Sequence, residues 1–474
     1  MRWRILELDL IKLKKIMALP NLIKTPSTLQ KLQWVTDPIG YMEKAAQQYP
    51  DIFTGRIVGF GGTVVFVSHP QAIQEILGND RKKFVAVGNI NKIGEPLVGE
   101  YSLPLLEGTH HKQQRQLLMP AFHGERMRVY GQLISSLCTK IFNQLPLNQQ
   151  FLARNLTQEI NLEVILQVVF GLNEGEKFQK LKDLLLQMLD LFRSPLSSSL
   201  LFFSFLQKDL GAWSPWGKFL RDRQQIDELI YSEITERKQQ RDPKRIDILS
   251  MLMLARDETG QSMTDRELRD QLMTLMVGGY ETTATAIAWG LYWIHQKPLV
   301  REKLLEELDT LGDSPDPMSF YRLPYLTAVC NETLRIYPLL ISSFPRVVQE
   351  PAQLLGHCLE PGTIVLPSIY LTHHREDLYP QPQEFQPQRF LERQFSPYEF
   401  LPFGGGVRRC IGEALAMFQM KLVLATVLSN YQLALVDRRI ERPQRRGFTL
   451  APSRGVKMVI TGRRCVRQES LASV

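Results

Sequence analysis

The stretch LPFGGGVRRCIGEALAMF, residues 401–418, places one cysteine, Cys410, behind three consecutive glycines and a pair of arginines. The residues after Cys410 favour a helix, so the sulfur is predicted to lie at a helix N-terminus. Glycines allow a backbone to come very close to a flat ligand, and arginine charges and helix N–H groups favour a thiolate. A lone cysteine is usually a small buried hydrophobe, but these neighbours favour a thiolate that binds a metal or an electrophile.

The bulk composition indicates a folded globular protein. A chain of 474 residues is long enough for two domains or one large multilayer domain that can bury a large ligand. With 44% hydrophobic and 22% charged residues, extended disorder is not expected. The five cysteines are odd in number, lie far apart and contain no CxxC, which fits neither a disulfide framework nor a zinc ribbon. This cysteine usage predicts a reducing compartment.

The formal charge of +8 is spread along the chain, with some concentration in residues 2–15 and 438–467. It suggests an acidic partner, an anionic surface or a solvated basic face. The opening segment, residues 1–20, carries charges every two or three positions, so it is neither a signal-peptide core nor a membrane span. It is at most a peripheral membrane contact, or else Met17 is the true start. We expect a soluble cytoplasmic protein with no nucleic-acid partner.

The order of local patterns predicts a mainly α protein with a small β part. Residues 51–70 are predicted to form two β-branched strands around a glycine-rich turn. Helical periods dominate from there to about residue 340, and short strands and turns return in residues 341–370.

One long helix is predicted over residues 264–297, because a capping box, Thr264 with Glu267, opens it and a proline follows it. Its central part carries one charge, Glu281, so the alternative interpretation is a membrane span. A carboxylate at the centre of a bilayer costs about 2.5–3.5 kcal/mol, which favours a core helix. Two glycines, the acid and two hydroxyls in residues 278–283 predict a weak turn that opens as a π-type bulge.

The decapeptide FGGGVRRCIG around Cys410 resembles the cysteine-ligand loop of the cytochrome P-450 family. The resemblance implies that the Cys410 thiolate is the axial ligand of haem b iron and pushes electron density toward O–O cleavage. It also assigns Phe403, Gly404, Arg408 and Gly412 to the loop that contacts the cofactor.

Two further segments match a buried network of the family. ETLR resembles its glutamate–arginine helix pair, here Glu332 and Arg335, and PQRF resembles the segment whose arginine, here Arg389, completes the network. The ExxR spacing alone is weak, because it also occurs at Glu125 and Arg128 and is otherwise a solvated ion pair. Position favours the first pair, which follows the long helix and precedes the cysteine.

GGYETT resembles the family's oxygen-activating groove, which implies that Glu281 and Thr282 are the acid and the alcohol that deliver protons to bound dioxygen. The alternative is a helix hydroxyl that the i−4 carbonyl satisfies.

Haem carries two propionates, and burying them requires cations. By resemblance, Arg115, Arg346 and Arg408 occupy the family's propionate-binding positions. His111 stands where many members have tryptophan, so the chain departs from the pattern there, although a histidine can still donate a hydrogen bond to a carboxylate. Adjacent histidines point apart on a helix or a strand, so we expect no histidine metal centre.

The resemblance implies the cytochrome P-450 fold, a large helical domain with a long central helix and a small β-rich region. We expect one such domain over residues 20–463, an N-terminal extension over 1–19 and a tail over 464–474. The implied activity is a monooxygenase that inserts one atom of dioxygen into an apolar fatty acid, alkane or terpenoid. Alternatives are an enzyme that uses peroxides or rearranges hydroperoxides, and a haem sensor.

No fused flavin reductase is expected, so electrons must come from a ferredoxin or flavodoxin with a separate reductase. We expect a basic docking face for an acidic partner beside the cysteine. Its predicted members are Arg408, Arg409, Lys421, Arg442, Arg445 and Arg446. Segments 84–106, 193–216 and 339–345 are rich in Leu, Phe, Ile and Val and are expected to line the substrate pocket.

Overall fold

The structure is a computed structural model that describes residues 19–191, 200–201, 203–240, 242, 244–312, 315–437, 439–446 and 449–464. The predictions made for residues 1–18, 193–199 and 465–474 lie outside the described residues.

Helices dominate the described part of the chain. They are α1 (Ser27–Thr36), α2 (Pro38–Gln48), α3 (Pro70–Gly78), α4 (Glu95–Val98), α5 (Gly108–Leu118), α6 (Glu125–Asn143), α7 (Ala153–Phe170), α8 (Glu176–Asp190), α9 (Pro215–Gln239), α10 (Ile248–Leu254), α11 (Asp265–Gln296), α12 (Pro298–Asp309), α13 (Pro317–Tyr321), α14 (Pro324–Ile336), α15 (Ile369–His373), α16 (Arg389–Glu392) and α17 (Glu413–Asn430). Short 3₁₀ turns cover Gly88–Gly94, Met119–Phe122, Ser204–Leu206 and Gly406–Arg408.

The strands are short and form small sheets. They are β1 (Ile52–Arg56), β2 (Thr63–Val67), β3 (Phe84–Val85), β4 (Gln150–Leu152), β5 (Arg346–Val348), β6 (Ala352–Leu354), β7 (His357–Leu359), β8 (Ile364–Pro367), β9 (Tyr431–Leu435), β10 (Pro443–Arg446), β11 (Thr449–Pro452) and β12 (Lys457–Arg463). The largest sheet has the order β1-β2-β8-β5-β3, with β2 and β8 parallel. A second sheet has the order β4-β12-β9, and β6-β7 and β10-β11 are two-stranded. The β1-β2 pair is the predicted hairpin.

Helix α11 is the axis of the large core. Its predicted start is confirmed, because the Thr264 hydroxyl accepts from the Glu267 N–H and the Glu267 carboxylate accepts from the Thr264 N–H. It ends at Gln296, just before Pro298. Along most of its length its side chains are buried against α7 and α17. None of the helices in the described ranges combines the length and the apolarity that a bilayer crossing requires.

The prediction of a π-type bulge in α11 is wrong, because the helix stays α-helical through residues 278–283. Side chains satisfy carbonyls of this turn: Thr282 Oγ1 donates to Gly278 O at 2.8 Å, and Asn161 Nδ2 donates to Gly279 O at 2.8 Å. One of these bonds lies within α11 and the other comes from α7, and with both carbonyls satisfied the turn remains closed.

Close packing of three helices fixes where α11 lies. A Cβ atom on Gly290 would lie 2.9 Å from Leu424 Cδ1 of α17, and one on Gly279 would lie 3.2 Å from Ile165 Cδ1 of α7. These glycines therefore let α17 and α7 approach α11 closely. As a result, the helix that follows Cys410 is packed directly on the central helix.

Candidate active site

The glycines before Cys410 shape a tight loop. Gly404 and Gly406 have φ of 66° and 63°, a region that side-chain-bearing residues rarely adopt. A Cβ on Gly406 would lie 2.0 Å from the Asp80 carboxylate, and the Cys410 N–H closes the loop by donating to Phe403 O at 2.9 Å. The glycines are thus required by the turn itself and by its packing, in addition to any close approach of a ligand.

Cys410 is exposed to solvent, although protein atoms surround its sulfur closely. Burial raises the pKa of its thiol, and Glu413 adds to this rise. The Gly412 N–H and the charges of Arg115 and Arg409 oppose it without prevailing. Arg409 thus acts in the predicted direction, toward a thiolate, and burial outweighs it when no metal is bound. Helix α17 begins only at Glu413, which weakens the effect of its dipole on the sulfur.

A cluster of cations lies beside the cysteine. His111, Arg346 and Arg408 are buried, and Arg115 is half-buried. Burial lowers the pKa of each arginine, to about 10 for Arg408. Burial and the three guanidinium charges lower the pKa of His111 to about 3, so its imidazole is neutral.

One buried carboxylate, Asp80, pairs directly with this cluster in the described residues, 3.3 Å from Arg346 Nη2. Glu107 also acts on Arg408 and Glu413 on Arg115, so the three guanidinium groups face one directly paired carboxylate and two that interact through space. The Nε donors of Arg346 and Arg408 are also buried without a hydrogen-bond partner among the described residues. Buried donors are normally satisfied, so the cluster fits a buried anionic group that accepts hydrogen bonds from these two Nε atoms.

Arg408 also forms hydrogen bonds to the backbone of residues 86–106, the segment that precedes α5. Its guanidinium donates to Leu103 O at 2.9 Å and to Ala86 O at 3.0 Å, and it contacts Leu106 O. The side chain of Gln271 on α11 accepts from the Leu103 N–H at 3.2 Å. The segment 84–106 that was expected to line the pocket is therefore tied both to the cysteine loop and to the central helix.

The predicted Glu332–Arg335–Arg389 network is assembled in the structure. Glu332 and Arg335 are fully buried and form two hydrogen bonds at 2.7 and 2.8 Å, and Arg389 Nε lies 3.3 Å from Glu332 Oε1. The remaining Arg335 donors reach His373 O and Glu384 O. By contrast, Arg128 of the second ExxR match pairs with Asp316 on the surface.

The middle of α11 has two different faces. Gly278 is exposed and Thr282 is partly exposed in the middle of a helix whose neighbouring turns are mostly buried, so this turn borders an open space. Glu281 points toward α7, where Oε1 accepts from Arg154 at 2.5 Å and Oε2 accepts from Gln158 at 2.7 Å. The acid and the alcohol are thus neighbours in sequence that face different surroundings.

Sequence reasoning missed four residues of this site: Asp80, Arg154, Gln158 and Asn161. The last three lie at i, i+4 and i+7 on α7 and form a buried polar stripe on one face of that helix. That spacing was the signal that could have found them. No comparable local signal marks Asp80, which reaches the site only through the fold.

The predicted basic docking face is wrong at three of its members, and the first is Arg408, which is buried and bonds inward as described above. Lys421 is buried, donates to Tyr321 O at 2.9 Å and lies 4.4 Å from the Tyr321 ring centre. Arg445 donates inward to Trp34 O at 3.2 Å, and burial lowers its pKa to about 10. Arg409 is exposed, but it forms a two-point ion pair with Glu413 at 2.6 Å.

These features define a class of protein. A sulfur ligand beside a buried arginine cluster, in which two Nε donors lack a partner among the described residues, suits a flat metal cofactor that carries carboxylates, and haem is such a group. The site is that of a haem-thiolate protein, in which Cys410 would bind the iron and the arginine cluster would hold the propionates.

Comparison with known proteins supports this class. A family model described as cytochrome P450 matches residues 24–458. The chain is 32% identical over 459 residues to cytochrome P450 135B1 of Mycobacterium tuberculosis, covering 96% of this chain and 94% of the relative. It is 30% identical over 443 residues to cytochrome P450 135A1 of the same organism, covering 93% and 95%. Retinoic-acid-bound cyanobacterial CYP120A1 superposes with a TM-score of 0.82 at 24% identity, covering 94% of this chain and 99% of that one.

The chain belongs to the cytochrome P450 family. It is accordingly an oxidoreductase of the monooxygenase type that binds haem through a cysteine thiolate. The predictions of the family, the mainly α P-450 fold, the enzyme class and the haem cofactor are confirmed. The individual site roles and the domain bounds remain predictions.

Proposed function

We propose that this P450 inserts one atom of dioxygen into an apolar substrate, a fatty acid, alkane or terpenoid, with electrons from a separate ferredoxin or flavodoxin. The observation that carries the proposal is the partly open turn at Gly278 and Thr282, with the acid Glu281 next to it on a buried helix. When bound, haem supplies redox-active iron whose thiolate ligand favours O–O cleavage. The chain must then supply protons, orientation and exclusion of water.

Thr282 is proposed to handle the proton in the cavity. Its hydroxyl donates to Gly278 O at 2.8 Å, and it can donate instead to a ligand that enters the open space, while its oxygen accepts a proton in return. Glu281 is proposed to be the acid that replenishes this proton. Both of its oxygens are occupied by donors from α7, so a proton passes only when one of these bonds is exchanged for water.

The arginine cluster is proposed to hold the propionates and so to set the orientation of the cofactor. Arg346 donates to Phe344 O and Gly405 O, which leaves its Nε free to turn toward an anion. Neutral His111 can donate one further hydrogen bond. Because Arg346 and Arg408 are held by the backbone, they can bind without reorganising.

The substrate proposal rests on apolar segments around the site. Leu103 is buried and Leu105 is partly buried in the segment before α5, and Leu339 and Ile341 are partly buried after α14. Apolar linings with few polar groups suit apolar ligands. We place the enzyme in the cytoplasm, since free cysteines and separate electron donors suit a reducing compartment.

The test uses the haem-loaded protein and a panel of dodecanoic acid, dodecane, a monoterpene and retinoic acid. Substrates should convert the low-spin spectrum to high spin, and the compound with the largest shift should be oxidised when a ferredoxin, its reductase and NADPH are added. Product that forms with hydrogen peroxide but not with the electron-transfer proteins would establish the peroxide-dependent alternative. Absence of any product with either oxidant would favour a sensor.

A further inference from the structure

The polar stripe on α7 forms a connection that the proposed chemistry does not require. Arg154, Gln158 and Asn161 are nearly fully buried, at 3%, 4% and 1% exposure. Burying polar side chains is unfavourable unless each is hydrogen-bonded. Those of Gln158 and Asn161 reach the turn of α11 at residues 279–281, as does Arg154 through Glu281.

Asn161 is the central member of the stripe. Its Nδ2 donates to Gly279 O at 2.8 Å and also to Tyr280 O, and its Oδ1 accepts from Gln419 Nε2 at 3.0 Å. Two carbonyl oxygens can only accept, so the amide nitrogen must face them and the amide oxygen must face Gln419. The orientation of the side chain is therefore fixed by chemistry, and Gly279 lets α7 come close enough for the contact.

The two carbonyls directly precede Glu281 and Thr282. A side-chain donor that holds both carbonyls sets the position of this turn relative to α7. Gln419 lies on α17, nine residues after Cys410, and is itself 2% exposed. A continuous hydrogen-bonded connection thus joins the helix behind the cysteine to the turn proposed to deliver protons.

We propose that Asn161 is a positioning residue for this turn, and that the Gln419–Asn161 bridge couples the turn to the helix that follows Cys410. The inference rests on the proposed function for the role of the turn. Its two parts are separable: Asn161 fixes where the turn lies, and Gln419 transmits changes at the cysteine side to it.

The test compares Asn161→Leu and Gln419→Leu with a matched control, Thr157→Val. Thr157 lies on α7 one turn before Asn161 and donates to Ala284 O of α11 at 2.9 Å. The control therefore also removes a buried side-chain hydrogen bond between α7 and α11. The first measurement is the C–O stretching band of the reduced carbon monoxide complex, which senses the surroundings of the bound gas. It requires neither substrate nor turnover.

Asn161→Leu should shift or broaden the C–O band, and Thr157→Val should leave it in place at equal loss of stability. With a plant-type [2Fe–2S] ferredoxin, its reductase and an accepted substrate, Asn161→Leu should raise peroxide released per NADPH by roughly 2- to 30-fold, the range of couplings through packed side chains. Gln419→Leu should abolish any change that adding the ferredoxin produces in the band of the unmodified protein.

Equal band shifts in Asn161→Leu and Thr157→Val, or a shift in neither, would overturn the positioning role. If Asn161→Leu does not bind haem, the test rests on Gln419→Leu, which leaves both N–H donors of Asn161 in place. A ferredoxin-induced change of the C–O band that is the same in Gln419→Leu as in the unmodified protein would then refute the Gln419–Asn161 coupling. A shift of the C–O band in Asn161→Leu, together with unchanged peroxide release in Thr282→Ala, would support the positioning role of Asn161 and refute the role of the turn in proton delivery.

Discussion

Groups of the chain act on the Cys410 thiol in opposite directions. Burial raises the pKa of the thiol against the pull of the Gly412 N–H, Arg115 and Arg409. A coordinating metal ion deprotonates a thiol outright, so iron supplies the charge that the loop alone does not. The loop contributes geometry: two left-handed glycines and the Phe403–Cys410 backbone bond fix the position of Cys410 before α17.

Replacing Cys410 with serine should abolish thiolate ligation, because a neutral hydroxyl is a poor ligand and cannot push electron density to the iron. The reduced carbon monoxide spectrum of Cys410→Ser should lack the thiolate-type band. Cys358→Ser changes an exposed cysteine and is the matched control, which should keep the band. A normal band from Cys410→Ser would refute the assignment of the ligand.

Thr282→Ala should keep the fold and the haem but release more peroxide. The hydroxyl bonds only to Gly278 O within its own helix, so its loss costs little stability, while proton delivery becomes mistimed. Product formed per electron should fall by about tenfold or more, and Thr282→Ser should restore it. Unchanged coupling would leave Thr282 as a helix hydroxyl and nothing more.

At the scale of elements, a buried ion-pair network connects helix α14 with the segment that contains α16. Glu332 accepts from Arg335, from Arg389 and from the Gln386 N–H, so its carboxylate is fully compensated. Removing one partner of a buried ion pair strongly destabilises the fold, because no water solvates the charge that remains. The network therefore fixes how α14 meets the segment that runs into the cysteine loop.

Glu332→Ala and Arg335→Ala should each destabilise the fold by roughly 3–5 kcal/mol, since each leaves an uncompensated buried charge. Both should give little haem-loaded protein and a lower midpoint of thermal unfolding. Arg128→Ala is the control with the same ExxR spacing on the surface, and it should cost no more than about 1 kcal/mol. Soluble, haem-loaded Glu332→Ala at normal yield would contradict the prediction.

Local signals predicted elements well and their partners less well. The capping box and Pro298 mark both ends of α11, and the order of motifs identifies the Glu332–Arg335 pair. The π-type bulge was wrong because the support for the weak turn comes from Asn161, more than a hundred residues away in sequence. The partner of Glu281 could not be predicted for the same reason, although the polar spacing on α7 was visible.

At the scale of the whole molecule, the predicted docking surface differs most from the structure, because several of its cations are buried. A charged residue type predicts exposure, but Lys421 and Arg445 bury long stems and bond to backbone carbonyls. A surface groove of about 390 Å³ does border the cysteine loop, lined among others by Phe403, Arg409 and Glu413. We propose that the electron donor docks at this groove, where Arg409 is an exposed cation among the lining residues.

Arg409→Glu should slow transfer of the first electron from an acidic ferredoxin by about fivefold at low ionic strength, which is ~1 kcal/mol of charge interaction. The difference should shrink as salt is added. Stopped-flow reduction under carbon monoxide measures the rate, and Arg128→Glu is a charge-matched control that does not border the groove. Rates indifferent to both salt and Arg409→Glu would move the docking site elsewhere.

Acid should unfold the protein partly through its buried histidines. His373 is fully buried, its Nε2 accepts from the Leu401 N–H at 3.0 Å, and burial together with the Arg335 charge holds its pKa well below the usual value. The same two causes lower the pKa of His374 to about 3, and burial lowers that of His295 to about 4. All three imidazoles are therefore neutral in the folded protein at pH 5, whereas the unfolded chain protonates them below about 6.5.

The unfolded state binds more protons than the folded state below pH 6.5. The free energy of unfolding should therefore have its full value above pH 6.5 and should fall as the pH drops through 6 toward 4. One fully shifted histidine contributes up to about 1.4 kcal/mol per pH unit in this window. Urea unfolding followed by tryptophan fluorescence at several pH values measures the slope. His374→Gln should flatten it by about one proton, because glutamine can still donate to Tyr370 O but cannot titrate. His123→Gln changes an exposed side chain as the control and should leave the slope in place; equal slopes in all three proteins would assign the acid sensitivity to carboxylates instead.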